Sequence, residues 1–405
     1  MTYNFDEIID RRNTNSENVE GWRPYIFHCG PERVFPYKDE EFIRMWVADM
    51  EFAVAPEILQ AITDRVDRRI LGYTLVYDKG YYEALRAWCE SRYGWAFPKE
   101  QLTFSPGVIP ALYQLTEDLV KPLNGKVLTM TPAYGFFLHA CEYNGVELVT
   151  SPLREENGRF SVDWEDLEAK AADPDVKLLM LCNPHNPTGR IWTEEELRRM
   201  AAIIEKHRLW VVSDEIHCDL IRTGLRHTPL GKIMPDYDRL ITCMSASKTF
   251  NLAGLIGSYH IIYNDWLRER ILKESSLSHY NSMNLLSMYA LIGAYKPEGY
   301  EWVDELKEVL SGNVNYACDY IEKHFEGVNV SKPEGTYMLF LDCTEWCKKH
   351  GKTITELQAA GIEVGVIWQD GVAFHGPCHI RMNLALPLSR VKEAFDRLDK
   401  YVFNL

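Results

Sequence analysis

Apolar residues in the middle of the chain come in short unbroken runs, each closed by a polar residue at a turn. Val176 to Cys182 is one such run, and it stops at Asn183-Pro184-His185-Asn186-Pro187-Thr188-Gly189. A run of this length bounded by Pro and Gly predicts a buried strand. Thr193-Glu194-Glu195-Glu196 then carries the signature of a capping box, with Thr193 as N-cap and Glu196 reaching back to it. Leu197, Met200, Ile203 and Ile204 follow at helical spacing and mark a buried face. Leu209 to Ser213 is the next predicted strand, ending at Asp214, and Leu240 to Met244 is a third, ending at Ser245. Three strands beginning about thirty residues apart, at least two joined by a helix, predict parallel βαβ units in a sheet covered on both faces. Ligands bind beyond the carboxyl ends of such strands. Asn183, Asp214 and Ser245, with Lys248 just after it, are therefore expected to converge on one crevice.

Upstream, the pattern predicts a turn over Leu102 to Pro110 that opens a helix carried by Ala111, Leu112, Leu115 and Leu119. Gly107 at that start lets backbone N–H groups approach an anion, and the helix dipole favours negative charge there. Taken alone, the same pattern describes an ordinary turn. The C-terminal third changes character, with an amphipathic helix near Trp302 to His324 and then alternating strand and helix patterns, among them His379 to Asn383. It predicts a second, smaller α/β domain. The expected division is a large domain over 50–290 and a small one assembled from 1–49 and 291–405.

Composition narrows the function classes. The chain has 405 residues, 46% of them hydrophobic and 25% charged, which is ordinary globular usage. Its net charge of −15 argues against a nucleic-acid partner, since duplex binding depends on neutralising phosphates with Lys and Arg. The acidic start lacks the basic-then-apolar layout of a signal peptide. The longest lipophilic stretch, Met283 to Tyr295, is interrupted by Asn284, Ser287 and Gly293. It falls short of the roughly 20 apolar residues a membrane helix needs. None of the ten cysteines forms a Cys-x-x-Cys pair, which predicts reduced thiols rather than a metal site. The expectation is a cytoplasmic enzyme with no membrane partner.

An Asn, an Asp, serines and a Lys around one crevice suit a particular chemistry. A lysine near a carbonyl can form a Schiff base, a buried Asp can keep a pyridine nitrogen protonated, and hydroxyls with helix-start amides can hold a phosphate. That set fits pyridoxal 5′-phosphate. Ser245-x-x-Lys248 also matches the serine–lysine motif of penicillin-binding proteins, but the Ser-Asp-Asn and Lys-Thr-Gly elements those need are absent.

The ordered set Asn183 to Gly189, Ser213-Asp214-Glu215-Ile216-His217, Ser245-Ala246-Ser247-Lys248-Thr249-Phe250-Asn251 and Ile380-Arg381-Met382-Asn383 resembles fold-type I pyridoxal-phosphate enzymes. With Met45-Trp46-Val47-Ala48-Asp49-Met50 and Glu334-Gly335-Thr336-Tyr337, it is similar more narrowly to the MalY/PatB-type carbon–sulfur lyases, the cystathionine β-lyase and cystalysin group. The resemblance covers nearly the whole chain. It implies a mainly parallel large domain with a smaller α/β domain. It also implies Lys248 as the Schiff-base lysine and Cα base, Asp214 on the pyridine nitrogen, Asn183 on the ring's phenolic oxygen and Tyr134 stacked on the ring. Gly107, Val108, Ser245 and Ser247 lie where the phosphate is held, and Arg381 clamps the substrate carboxylate. The family being dimeric, Tyr73 reaches into the partner subunit's site. The implied reaction is β-elimination from cystathionine- or cysteine-type amino acids, and the competing reading is a class I/II aminotransferase.

Two positions depart from the wider aminotransferase pattern. Eight residues after the lysine, where many relatives carry a phosphate-binding Arg, stands Ile256. Three residues after the aspartate, where many carry Tyr, stands His217, which is itself a candidate for binding the cofactor. Both agree with the lyase branch. For several residues a plainer reading stays open: Arg381 in a structural ion pair, Tyr134 as a core aromatic, His185 and His217 as turn residues, and Trp46 and Asp49 closing the entrance.

Overall fold

The computed structural model describes residues 2–30, 32–75, 79–156, 158–278 and 283–404. Seven strands form the main sheet: β1 (Leu102–Ser105), β2 (Lys126–Thr131), β3 (Glu147–Pro152), β4 (Val176–Cys182), β5 (Trp210–Asp214), β6 (Leu240–Met244) and β7 (Ser258–Ile262), in the spatial order β1-β7-β6-β5-β4-β2-β3. Pairing is parallel from β6 to β3, while β7 runs antiparallel to both its neighbours. The central strands are buried along almost their whole length, as a sheet covered on both faces requires. All three strands expected from the apolar runs are present, while Leu102–Ser105, expected as part of a turn, is instead the edge strand β1, held by its pairing with β7. The capping box exists as read, with Glu196 N donating to Thr193 Oγ1 at 3.2 Å and Thr193 N to Glu196 Oε2 at 2.8 Å.

Register sets where the strands end. Cys182 pairs with Asp214 and Asp214 with Cys243, so three strand ends lie side by side at one edge of the sheet. Beyond β6 the short helix Ala246–Thr249 carries Lys248. Phe250 follows it, fully buried and stacked on Trp302 at 5.5 Å between ring centroids. Burying a ring of that size is worth roughly 2–3 kcal/mol and fixes the turn that presents the lysine.

A second, antiparallel sheet has β8 (Asn329–Val330), β9 (Met338–Asp342), β10 (Gln369–Asp370) and β11 (His379–Asn383), in the order β8-β9-β11-β10. A separate apolar core joins its strands to Trp22, Phe42 and Trp46 from the N-terminal part of the chain. The long helix runs Pro297–His324, beginning five residues before the expected start. Pro297 occupies its first turn, where a missing N–H costs nothing. The lipophilic stretch near residue 290 forms the helix Leu285–Ala294, packed against the helix Pro56–Val66. Among the described residues no helix is long and apolar enough to cross a membrane.

Candidate active site

A cavity of about 200 Å³ opens at the shared strand ends. Lys248 and Asp214 line it together, as do Tyr134, His217, Ser245, Ser247, Gly107 and Val108. Topology alone therefore brings together eight of the eleven expected site residues.

Lys248 Nζ donates to the carbonyl of Ala48 at 2.6 Å. Burial pulls its pKa down to about 8, against the opposing charge of Asp49 and with Arg381 adding to the fall. Asp214, at the end of β5, is 2% exposed and accepts one bond from Ile216 N at 3.2 Å. Burial pushes its carboxyl up to about 7, and the neighbouring Glu215 adds to the rise. Glu215 itself is held by Ser213 Oγ, Leu230 N and His227 Nε2, all within 2.9 Å. His217 is kept neutral by burial, its pKa down to about 3, and its Nδ1 has no partner. Ser245 Oγ accepts from Ser247 N at 3.1 Å and donates to Gly257 O at 2.7 Å. Gly107 caps the helix Val108–Leu119 in an extended conformation. A Cβ there would meet Pro110 only at ordinary contact, so backbone access rather than left-handed geometry is its contribution.

Three expected residues do not line the cavity. Asn183 is not among the lining residues: its Nδ2 donates to Thr228 O at 3.1 Å, and its Oδ1 is buried without a partner. The asparagine that does line the cavity is Asn186, three residues on, with its Oδ1 buried and unpartnered. The turn explains the exchange. His185 N bonds to Arg190 O and Gly189 N to His185 O, and the chain folds back so that Asn186 faces the strand ends. Arg381, on β11, lies near enough for its charge to act on both Lys248 and His217. Its Nη2 donates to Trp46 O and Gln369 Oε1, each at 2.9 Å, and its Nε is buried without a partner. It forms no ion pair among the described residues, which removes the structural-pair reading. Burial brings its pKa down to about 10. Tyr73 is fully exposed, outside this chain's own cavity.

Two further features were not foreseen. Ala48 lines the cavity, and its carbonyl accepts from both Lys248 and the Tyr337 hydroxyl, at 2.6 and 2.9 Å. Asp49, beside it, is held by Arg11 Nη2 at 2.6 Å and Asn18 Nδ2 at 2.9 Å. The motif around Trp46 had pointed there, without the contacts. Ile256 lines the cavity as the sequence position implied, with a positive φ of 54°.

The donor set fits pyridoxal 5′-phosphate. A buried lysine with lowered basicity, a buried carboxylate and an aromatic ring share one cavity with an unpartnered amide, hydroxyls and a helix start.

The aminotransferase class I and II family model matches residues 40–398. The chain belongs to that family. Within this aminotransferase family it is 35% identical to cystathionine beta-lyase PatB of Bacillus subtilis, over 87% of this chain and 91% of that one. Its fold matches the PLP-bound C–S lyase from Staphylococcus hominis with a TM-score of 0.90 and 38% identity, covering 99% and 98% of the two chains. Cystalysin from Treponema denticola, solved with pyridoxal 5′-phosphate, matches with a TM-score of 0.90 and 30% identity over the full length of both.

Proposed function

We infer that this protein is a pyridoxal-phosphate-dependent carbon–sulfur β-lyase, acting on cystathionine- or cysteine-type amino acids to give a thiol, pyruvate and ammonia. The observation that carries the reading is Lys248 and Asp214 buried in one cavity, in a chain similar over nearly its whole length to cystathionine β-lyase and C–S lyase relatives.

Pyridoxal 5′-phosphate, when bound, supplies the electron sink that accepts the pair left at Cα when its proton departs. The chain's own residues do the rest. Lys248 Nζ would hold the cofactor and would take the proton from the substrate's Cα. A pKa near 8 places it close to the working pH of such a base. Asp214 would pair with the ring nitrogen and keep it protonated, and a positive charge there would stabilise the buried carboxylate. Asn186, not Asn183, would supply the amide to the phenolic oxygen, and Tyr134 would cover the ring. Ser245, Ser247 and the amides at Gly107 and Val108 hold the phosphate without an arginine at position 256. Arg381, lacking an anionic partner, binds the substrate carboxylate. A thiolate is a good leaving group, so Cβ–S cleavage needs no strong acid.

The enzyme works as a homodimer in the cytoplasm. Ile70, Leu71, Tyr73 and Leu75 form an exposed apolar segment that supports burial against a second copy, with Tyr73 entering its cavity. All ten cysteines are free thiols, in keeping with a reducing compartment.

Holoenzyme given L-cystathionine and no oxo acid is expected to produce pyruvate, followed with lactate dehydrogenase and NADH, and Lys248→Ala is expected to produce none. Pyridoxamine phosphate accumulating with an oxo acid, and no pyruvate without one, would replace the lyase with an aminotransferase.

A further inference from the structure

A second cavity, also about 200 Å³, lies where residues 8–12 cover residues 40–44 and the start of the helix Leu388–Leu398. It shares no lining residue with the catalytic cavity. Four guanidinium groups reach it, and three are paired with carboxylates, Arg390 sharing Glu393 with Arg397. Arg12 pairs with Asp10 at 2.7 Å and Glu40 at 3.6 Å, Arg11 with Asp49 at 2.6 Å, and Arg390 with Glu393 at 2.6 Å.

Arg44 is left over. Among the described residues its Nη atoms donate only to the carbonyls of Phe42 at 3.3 Å and Asp39 at 2.6 Å, and its Nε is buried without a partner. Among the described residues it forms no ion pair. Glu51 is the matching remainder. Its nearest cation, Arg11 Nη1, stands 4.0 Å away on a guanidinium already engaged by Asp49, and Asn18 Nδ2 gives it one long bond at 3.3 Å. Burial pulls the pKa of Arg44 below its ordinary value and pushes that of Glu51 above its own, so neither ion is fully compensated. Each feels the other's charge, yet no contact within 4.0 Å joins them.

A cation and an anion that line one cavity without meeting are complementary to a molecule carrying both charges close together. Phe42, Ile43 and Leu386 add an apolar wall beside the pair. We propose that this cavity binds the zwitterionic head of a small apolar amino acid, its carboxylate on Arg44 and its ammonium on Glu51. Ligand and pair then complete each other's hydrogen bonds in a site from which water is partly excluded.

Isothermal titration calorimetry of the holoenzyme with N,N-dimethylglycine tests this. A tertiary amine forms no imine with the cofactor, and one N–H remains for Glu51. One site per chain is expected, weakened at least roughly tenfold by Glu51→Gln or Arg44→Gln and unmoved by Arg381→Gln. Acetate and dimethylethylamine, which carry one charge each, are expected to bind the unsubstituted holoenzyme at least roughly tenfold more weakly, a comparison that needs no variant. Binding lost in Arg381→Gln but kept in Glu51→Gln would put the ligand in the catalytic cavity and overturn the proposal. So would acetate binding as tightly as the zwitterion, or no saturable heat at all.

Discussion

Asp214 is a carboxylate whose ionisation the fold opposes until a cation faces it. With its pKa raised from 3.8 to about 7, the folded chain holds a proton there that the unfolded chain has released. The contribution to stability is intact below about pH 4 and lost as pH rises through 7, a difference of the order of 4 kcal/mol. Protein stripped of cofactor is therefore expected to be stabilised by Asp214→Asn at pH 8 and left nearly unchanged at pH 4, as read from urea midpoints. With pyridoxal 5′-phosphate restored the order should reverse, because a protonated ring nitrogen stabilises the carboxylate and not the amide. A difference independent of pH would contradict this account. The residue scale is also where reading the chain fell short. Asn183 and Asn186 stand in the same turn with the same chemistry, and only the fold of that turn decides which one faces the cavity.

At the scale of elements, the helix Ala246–Thr249 has a single turn and too few internal bonds to hold a catalytic lysine by itself. Its anchor is Asp219, buried in the segment after β5. Asp219 accepts from Thr249 Oγ1 at 2.9 Å, from Trp88 Nε1 at 3.2 Å and from the Tyr93 hydroxyl. Thr249→Val keeps the shape and removes one donor to a buried charge, at an expected cost of about 2 kcal/mol. Thr249→Ser should recover most of it. Denaturant unfolding checks both, and equal stability of Thr249→Val and wild type would show that the anchor carries no weight. The sequence pattern foretold the strands and the helix after Thr193 because each is governed by local periodicity and local capping. It missed the first turn of the helix Pro297–His324, where Glu298 and Gly299 interrupt the apolar stripe and only Pro297 signals a start.

Across the whole molecule, the turn that delivers Asn186 is locked against the segment leading into β9. Gly189 O accepts from Glu334 N at 2.9 Å and Gly335 N at 2.7 Å, and the buried Arg190 pairs with both Glu196 and Glu334. Gly189 has a φ of +72°, and a Cβ on it would stand 2.3 Å from Pro333 Cβ and 2.9 Å from Gly335 O. Gly189→Ala combines left-handed strain with overpacking against backbone, so a loss of about 3 kcal/mol is expected. Calorimetric melting measures it, and an unchanged midpoint would show that the two segments part freely. The same substitution is expected to weaken cofactor retention, since Asn186 moves with the turn.

The strand runs, the α/β class, the polar residues at the strand ends and the lysine after the third strand are all legible in the amino-acid pattern. All follow from period, turn chemistry and the rule that parallel strands deliver their carboxyl ends to one edge. Contacts between distant segments select which asparagine faces inward, bring Ala48 to Lys248 from two hundred residues away, and leave Arg381 without an anionic partner among the described residues. No local pattern encodes them, because the free energy that selects them comes from burial and from hydrogen bonds that exist only once the segments have met.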